Sequence, residues 1–539
     1  MDDTRHDPAE STVREQTVHR CRPTNGLPSE VAKKCANCVT LYMKRKIPTL
    51  MSSQHPDNAG VPYWHANPYI KTEDELKECF LMYNDLGIEE VMWDWEGKFV
   101  DEAVIERLYG SHLEFFKKKL LGKDIFLTFR VPNPRVESGY RLGRAFMVIL
   151  SAAHFAEGLG FRNKPLFEVI LPMTETSAEI IKLQKGFERF SKAAAFSFGG
   201  KNFSAGTLEV IPLFETVGTI MESGEILKKY VETYKKQFGS YPVYLRPFCA
   251  RSDPALNSGI VATTLAIKCA LSDYAHFTKK TSITTYPIIA PGSLPFRGGF
   301  TPRNALEFAR EFSGVRTVMI QSAFRYDYVL SEVKRAIRLL HGALPRFKTR
   351  EVSEVTRKKV KKIIPWFENP YMKAVERIAP IVEQISVHIP KRRERLQHIG
   401  LFGYSRGIGK VKLPRAIGFC ASCYSLGIPP ELFGVGEGLA KARAAGEIQT
   451  VEALYTIFRS SLVRAGRYLR KESLKELGLP ELERGVVLIE EYLGETLGPV
   501  TKEEFRHADL VAKIIVLLQK GKSPIKEIEQ AALIRKSLG

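Results

Sequence analysis

The chain has few cysteines for its length and no long uninterrupted apolar run. Eight cysteines in 539 residues do not make a disulfide scaffold, and the apolar surroundings of Cys249 and Cys269 indicate buried thiols, as in a reducing cytoplasm. The sequence contains no run of about 18 or more apolar residues, so we predict no membrane-spanning segment. The N-terminus lacks the apolar core of a secretory signal. We therefore expect a cytoplasmic protein without a membrane partner.

Basic residues are abundant but are not arranged as in a nucleic-acid-binding protein. The formal net charge is +20, which suits nucleic acid, a membrane surface or acidic metabolites. The densest basic clusters, 44–46, 357–362 and 391–395, are short and contain no interleaved aromatic residues. We expect no nucleic-acid partner; the alternative, a basic nucleic-acid-binding protein, predicts binding that weakens steeply with salt.

Two Cys-x-x-Cys pairs occur, Cys35–Cys38 and Cys420–Cys423. Four thiolates can bind zinc, but compact zinc modules do not separate their ligand pairs by about 380 residues. Cys420 and Cys423 also lie in an apolar, helix-like run, 416–427. Core packing is the favoured interpretation of that pair, with a zinc site as the alternative.

The chain divides into three regions by pattern. Residues 1–42 are polar and have no hydrophobic period, which indicates a disordered extension or a mis-assigned translation start, since Met43 or Met51 would serve. Residues 43–348 alternate strand and helix patterns. Residues 349–539 are mostly helical and are expected to pack on the preceding region. Helices are predicted there at 354–363, 369–397, 430–446, 449–471, 481–495, 502–520 and 523–537.

The middle region predicts a barrel. Apolar, β-branched runs alternate with amphipathic helical stretches, as in βα units whose parallel strands are buried on both faces. We therefore predict a TIM-like (β/α)₈ barrel of the α/β class with extensive additional C-terminal helices, its eighth strand lying near residue 50 or after residue 400. The seven visible strands are predicted at 88–95, 124–131, 166–173, 208–214, 243–248, 284–291 and 315–323.

Polar residues follow most of these strands, at the end where barrel enzymes carry their chemistry. Glu215 and Asp253 suit a hard divalent cation. Arg297, the glycine pair 298–299 and Arg303 suit a phosphate or carboxylate that must be approached closely. Each has an ordinary alternative, such as a helix cap for an acid. Their coincidence at one rim predicts a metal beside a small polyanion. Further residues at the strand ends are Asp94, Glu96, Lys98, Arg130, Glu175, Arg325 and Asp327.

His55 lies in MSSQHPDN, before any predicted helix. A lone histidine is usually a surface or capping residue. The neighbouring Pro56 favours an extended segment that crosses the rim, and the near-neutral pKa of imidazole suits proton transfer.

Four segments, MSSQHPDN, LEVIPLFET, RSDPALNSG and PFRGGFTPRN, resemble those of the archaeal-type phosphoenolpyruvate carboxylases. The resemblance extends from about Met43 to Gly539. The longer bacterial and plant enzymes share these motifs in part. Their lysine after the second metal ligand falls on Leu256 here, and their histidine before the first glycine pair falls on Pro295.

The resemblance implies a role for each matching residue. His55, Arg303 and Arg406 would be catalytic; Arg130, Arg297, Gly298 and Gly299 would bind the substrate; Glu215 and Asp253 would bind the metal, Mg²⁺ with Mn²⁺ as the alternative. Arg130 matches LDIRQ of the longer enzymes, and Arg406 matches their GSRP.

The implied activity is the joining of phosphoenolpyruvate and bicarbonate to give oxaloacetate and phosphate, through carboxyphosphate and enolpyruvate. The resemblance also implies a homotetramer in the cytoplasm whose product replenishes the tricarboxylic acid cycle. Three alternatives stay open: another barrel enzyme of phosphoenolpyruvate or pyruvate, such as a mutase or an isocitrate-lyase-type enzyme; the nucleic-acid-binding protein; and a non-catalytic relative.

Overall fold

Parallel strands close into an eight-stranded barrel in the order β1-β10-β9-β7-β5-β4-β3-β2. The predicted fold class, a TIM-like barrel with many helices, is confirmed. The eighth strand lies near residue 50: Leu50–Ser52 pairs with both β10 and β2 and closes the barrel. The strands are β1 Leu50–Ser52, β2 Glu90–Asp94, β3 Phe126–Arg130, β4 Glu168–Leu171, β5 Glu209–Phe214, β6 Tyr244–Leu245, β7 Phe248–Ala250, β8 Thr284–Thr285, β9 Ile288–Ala290 and β10 Thr317–Ile320. Strands β6 and β8 form a separate two-stranded sheet.

The computed structural model describes residues 45–96, 100–137, 139–197, 207–394 and 413–539. Residues Lys46–Gly539 form one unit. The predicted N-terminal extension, 1–42, lies outside the described residues, as do the Cys35–Cys38 pair and Lys98.

Helices follow the strands and enclose the barrel. Each helix contributes apolar side chains to the same buried core as the strands, which is the expected use of a helical stripe with a 3.6-residue period. These helices are α1 Asp74–Asn84, α2 Val104–Lys118, α3 Gly139–Gly158, α4 Ser177–Ser197, α5 Val217–Phe238, α6 Ser252–Thr281, α7 Ala305–Glu311, α8 Ser322–Tyr326 and α9 Leu330–Ala343.

The helices after residue 349 pack against the barrel helices, most extensively α10 against α6. The sequence predicted a break between 363 and 369, but α10 is continuous and contains Pro365, Pro370 and Pro380. Its buried face outweighs the hydrogen bonds that the prolines remove. The single helix predicted at 449–471 is instead two helices. The helices are α10 Glu354–Ser386, α11 Ala416–Ser425, α12 Val435–Ala444, α13 Ile448–Leu454, α14 Phe458–Gly466, α15 Lys471–Glu476, α16 Pro480–Leu493, α17 Lys502–Gln519 and α18 Ile525–Arg535.

The barrel interior is filled by side chains and is closed at its N-terminal end by a buried ionic cluster. Apolar residues from successive strands, including Met51, Met92 and Met319, pack in the centre. Below them, Arg246 bonds Glu90 and Glu168, each at 2.6 Å. All three side chains are buried, so each charge depends on the others for compensation. The open end of the barrel is therefore the C-terminal one.

Helix α6 is long and apolar enough to span a membrane by length and composition, but 94% of its most apolar window is buried in the protein. It is a core helix. Gly259 interrupts it with φ +79°, a conformation that glycine adopts without steric cost. The Tyr371 ring occupies the space beside Gly259, and the Tyr371 hydroxyl donates to the carbonyl of Leu256 at 2.9 Å. This bond satisfies an oxygen in the helix turn that the glycine interrupts.

Candidate active site

A cavity of about 410 Å³ lies at the C-terminal end of the barrel. The side chains that line it come from the ends of several strands and from the start of α11. Charged and polar residues among them are His55, Arg130, Glu215, Arg251, Asp253, Arg297, Gln321 and Arg415. Five of the nine predicted site residues therefore line one cavity: His55, Arg130, Glu215, Asp253 and Arg297.

Glu215 and Asp253 are placed by consecutive strand-to-helix junctions. Glu215 follows β5 and precedes Thr216, which caps α5 with a capping box; its Oε2 accepts the backbone N–H of Met173 at 2.7 Å. Asp253 lies in the first turn of α6, after β7. Because β5 and β7 are hydrogen-bonded neighbours, both carboxylates reach the same cavity.

These carboxylates suit a hard divalent cation. Mg²⁺ is usually bound by one or two protein carboxylates together with substrate oxygens and water. No group of three or more His, Cys, Asp or Glu residues with metal-binding geometry occurs within the described ranges. The donor set therefore fits a metal shared with a substrate better than a closed structural site.

His55 enters the cavity from the segment that follows β1. Its Nδ1 lies 3.0 Å from the Ser53 hydroxyl, and Ser322 donates to the His55 carbonyl at 2.7 Å. Enclosure by the cavity walls and the positive charge of Arg130 hold the pKa of the imidazole well below its ordinary value, against a smaller opposing effect of Asp94. His55 is consequently neutral near pH 7 and able to accept a proton.

Arg130 ends β3 and is held in a buried acidic clamp. Its Nε and Nη2 donate to the two oxygens of Asp94 at 2.9 and 2.7 Å, and Nη2 lies 2.7 Å from Glu96. Such a bidentate pair fixes the guanidinium plane. Arg130 thus meets both interpretations of its position, since it pairs with a buried acid and also lines the cavity.

Arg297 is the most enclosed of the cavity arginines that the sequence predicted. It is 1% exposed; Nη1 donates to Asp57 at 3.0 Å and Nε to the Ser252 hydroxyl at 3.0 Å. Nη2 donates to the Gln321 side chain. Nη1 also donates to the backbone oxygen of Gly539. These four partners leave the guanidinium little rotational freedom, which favours it as a rigid anion-binding group.

The Arg297 side chain is presented by a turn that requires glycine. A 3₁₀ turn, Pro295–Arg297, is followed by Gly298 with φ +117° and Gly299 with φ +67°. A Cβ on Gly298 would lie 2.9 Å from Pro291 Cβ. The two glycines do not line the cavity; they shape the turn behind Arg297 rather than its front.

The comparison with known proteins decides the family. A family model described as phosphoenolpyruvate carboxylase matches residues 47–539. The chain belongs to the phosphoenolpyruvate carboxylase family. The resemblance to the archaeal-type members of this carboxylase family is confirmed. The matched enzymes are carbon–carbon lyases of the carboxy-lyase class.

Proteins named phosphoenolpyruvate carboxylase are similar to this chain over nearly their whole length. A phosphoenolpyruvate carboxylase of Leuconostoc mesenteroides is 38% identical over 480 residues, 87% of this chain and 94% of the relative. One of Metallosphaera sedula is 37% identical over 523 residues, 92% of this chain and the whole relative. One of Pyrococcus horikoshii is 37% identical over 475 residues, 86% of this chain and 96% of the relative.

Of the arginines predicted for the carboxylase site, Arg303 does not line the cavity, and Arg406 is not among the residues that the structure describes. The side chain of Arg303 is 60% exposed and pairs with Glu332; the intervening Asn304 accepts from Thr301 and donates to the Gly299 carbonyl. This local turn directs Arg303 toward α9, so the structure does not bring it to the other predicted residues.

The sequence did not single out Arg415, Gln321, Arg251 or Asp57, although all lie in or directly behind the carboxylase cavity. Arg415 precedes α11, and its Nη2 donates to Glu96 at 3.3 Å. An arginine at the start of an otherwise apolar helix was the one available signal. Asp57 stood two residues from His55 and was visible only as part of the same motif.

Proposed function

We propose that the chain joins phosphoenolpyruvate and bicarbonate to form oxaloacetate and phosphate. The observation that carries this proposal is the convergence of Glu215, Asp253, Arg130, Arg297 and His55 on one cavity. A bicarbonate oxygen attacks phosphorus while the bond from phosphorus to the enol oxygen breaks, giving carboxyphosphate and the enolate of pyruvate. Carboxyphosphate loses a proton and separates into CO₂ and phosphate, and the enolate carbon attacks CO₂.

Glu215 and Asp253 would hold Mg²⁺ or Mn²⁺, which supplies Lewis-acid stabilisation of negative oxygen when bound. Both are carboxylates, the ligand type that these cations prefer. The Met173 N–H on Glu215 Oε2 orients that carboxylate, in the way that hydrogen bonds behind a metal site orient its ligands.

Arg297 and Arg130 would neutralise the phosphoryl group during transfer. Phosphoryl transfer needs charge compensation and positioning more than covalent participation by the protein. Both guanidinium planes are fixed by carboxylates behind them, Asp57 and Asp94. Arg415, which is 46% exposed, lies toward the solvent side and would contribute positive charge at the entrance.

His55 would remove the proton from carboxyphosphate. Its lowered pKa keeps the imidazole neutral, and the nearby Arg130 opposes its protonation until an anion is bound. A general base must accept its proton within the closed site, and the enolate must meet CO₂ before water protonates it. We also propose roles for Arg303 and Arg406 as the resemblance implies; for Arg303 this requires a different side-chain position from the one described.

A coupled assay tests the function. Oxaloacetate is reduced by malate dehydrogenase and NADH, with bicarbonate and the divalent cation each omitted in turn. We expect oxaloacetate only when phosphoenolpyruvate, bicarbonate and metal are all present. Turnover of phosphoenolpyruvate that does not need bicarbonate would indicate a mutase or lyase of the same barrel class.

The metal assignment is tested by Glu215→Ala and Asp253→Ala. Each removes one of two ligands, so we expect turnover to fall at least about 10³-fold at saturating Mg²⁺. Glu175→Gln is the matched control, because Glu175 follows β4 but pairs with Arg135 at 2.8 Å outside the cavity. Wild-type rates in either alanine variant would refute the assignment.

We further propose that the enzyme is a homotetramer and acts in the cytoplasm, as its resemblance to the family implies. Light scattering of the purified protein would show a mass four times the chain's 60.8 kDa. A monomer or dimer at micromolar concentration would contradict the tetramer.

A further inference from the structure

Two buried charged residues that the sequence did not predict, Arg251 and Glu431, form hydrogen bonds with the turn that carries Arg297. Arg251 Nη1 donates to the carbonyl of Phe296 at 3.2 Å. Glu431 Oε1 accepts the backbone N–H of Phe296 at 2.6 Å. The two groups thus hold both sides of the residue that immediately precedes Arg297.

Arg251 differs from other deeply buried arginines of the described chain. Several of those pair with a glutamate and Arg297 pairs with Asp57, whereas the hydrogen bonds of Arg251 go to a carbonyl, to the Thr264 hydroxyl at 3.3 Å and to the Tyr455 side chain. The glutamate-paired arginines are Arg246, Arg325 and Arg393. Arg251 is 1% exposed; its Nε, like the Nε atoms of those three arginines, has no hydrogen-bond partner in the described part of the structure. Burying a guanidinium in this way is costly, so its position calls for a specific role.

Glu431 is a buried carboxyl supplied by the C-terminal region. It lies in the 3₁₀ turn Pro430–Leu432 and is 0% exposed. Besides the Phe296 N–H, Oε1 accepts from the Tyr424 hydroxyl of α11 at 2.7 Å. Burial raises the pKa of Glu431 to about 7, against the hydrogen bonds from Tyr424 and Phe296 and a smaller effect of the positive charge of Arg251.

The rest of the turn cannot move independently of these contacts. The Phe296 ring is fully buried between Tyr371 and Phe419, with ring centroids 6.3 and 5.7 Å away. The Arg251 Cγ lies 3.2 Å from where a Cβ of Gly298 would stand. Displacing Arg251 would therefore loosen the turn on both sides of Arg297.

We infer that Arg251 and Glu431 are positioning residues that set the guanidinium of Arg297 for the substrate's phosphate. Glu431 does not line the cavity and acts through the Phe296 backbone. Arg251 forms part of the cavity wall, and its hydrogen bond to the Phe296 carbonyl gives it the same route to Arg297. This inference rests on the proposed function, in which Arg297 binds the phosphoryl group. It also gives the C-terminal helices a part in building the anion site.

The test is a double-mutant cycle. Arg251→Met and Glu431→Ala should each lower kcat/KM for phosphoenolpyruvate roughly 10- to 100-fold, since a displacement of about 1 Å is enough for such a loss. The loss should lie mainly in KM for phosphoenolpyruvate, with KM for bicarbonate unchanged within about twofold. Glu431→Gln keeps the acceptor Oε1 and should stay within about threefold of wild type.

Coupling to Arg297 separates positioning from general damage. In an Arg297→Lys background, Arg251→Met should reduce kcat/KM by no more than about threefold further. Tyr274→Phe removes a buried hydrogen bond from the same helix, to Ser223 at 2.7 Å, and should not change KM in either background. If Arg251→Met does not fold, Arg251→Lys takes its place in the cycle, with a raised KM expected only when Arg297 is present.

Losses that multiply in the double variant, or that appear in kcat alone, would overturn the inference. Calorimetric titration with phosphoenolpyruvate gives a second readout without turnover, in which Arg251→Met should weaken binding at least about 10-fold. Absence of bicarbonate-dependent oxaloacetate in the wild type would instead contradict the proposed function, and the titration would still decide whether Arg251 acts on anion binding.

Discussion

At the scale of the residue, the cavity holds a neutral imidazole, His55, together with guanidinium groups that are each paired with a buried carboxylate. Arg130 and Arg297 are paired with Asp94 and Asp57 before any substrate arrives. The positive charge in the cavity is thereby fixed in place, and charged groups held in advance need little rearrangement during reaction. His55 is the one histidine among the described residues that line the cavity.

Replacement of the imidazole should uncouple the two halves of the reaction. In His55→Asn, phosphate is expected to be released from phosphoenolpyruvate at a reduced rate, while oxaloacetate formation falls at least about 10²-fold because the proton acceptor is gone. Phosphate and oxaloacetate are measured in the same samples. Oxaloacetate formation at the wild-type rate would remove His55 from the mechanism.

The lowered pKa of His55 predicts the acid side of the pH profile. As the proposed proton acceptor, His55 would act when deprotonated, and its pKa is held well below the ordinary value of about 6.5. Plotted as kcat/KM for phosphoenolpyruvate, activity should therefore be constant from about pH 8 down to about pH 6.5 and fall only at lower pH. A fall in activity on the acid side that is centred at or above about pH 6.5 would contradict a neutral, enclosed imidazole.

A site residue could be predicted from the sequence when its position depends on its own strand, and not when it depends on residues far away in the sequence. Glu215 and Asp253 could be predicted because each follows its own strand, and parallel strands end at one rim. Arg251 could not, because its role depends on Phe296 and on Glu431, 180 residues further on. The side chain of Arg303 points outward because of the hydrogen bonds that the next residue, Asn304, makes. A sequence motif does not reveal such bonds.

At the scale of the element, the glycine turn after Pro295–Arg297 combines backbone strain with crowding. Gly298→Ala places a Cβ 2.9 Å from Pro291 at φ +117°, so we expect a loss of roughly 1–3 kcal/mol in the free energy of unfolding and a raised KM for phosphoenolpyruvate. Denaturant unfolding and steady-state kinetics measure the two effects.

Gly239→Ala provides the control for strain without crowding. Gly239 has φ +76° at the end of α5, and no atom lies within 4 Å of the position that an alanine methyl would occupy there. A cost of about 1 kcal/mol and an unchanged KM are therefore expected. Equal effects of the two substitutions on KM would show that the turn does not position Arg297.

Most secondary-structure elements were predictable because their periods are strong. Strand β5 was expected at 208–214 and is found at 209–214. The helix boundaries failed where tertiary packing overrides local preference: α10 continues through three prolines because its apolar face lies on α6. The choice of the eighth strand was also beyond the sequence, since β1 has only three residues and is defined by its two neighbours.

At the scale of the whole molecule, the ionic cluster at the closed end of the barrel ties distant segments together. Arg246→Met would leave Glu90 and Glu168 buried without their cation, and we expect a loss of roughly 3–5 kcal/mol in the free energy of unfolding. The loss should be smaller at low pH, because burial raises the pKa of Glu168 and a protonated carboxyl no longer needs the cation. Denaturant unfolding at about pH 5 and about pH 8 measures both effects.

Lys192→Met is the surface counterpart. Lys192 pairs with Glu188 at 2.9 Å with both side chains exposed, so its removal should change the free energy of unfolding by no more than about 1 kcal/mol. If Arg246→Met were equally mild in the alkaline sample, the cluster would not contribute to stability as we describe.

Because Arg415 lines the cavity and Glu431 holds the turn behind it, both from segments beyond residue 349, we expect the barrel alone to be an incomplete catalyst. A fragment ending near residue 348 would lack both groups and would expose the side of α6 that α10 covers. Protein engineers who wish to shorten this scaffold will therefore find more freedom in its outer loops than in its C-terminal helical region, which contributes side chains to the cavity as the strands do.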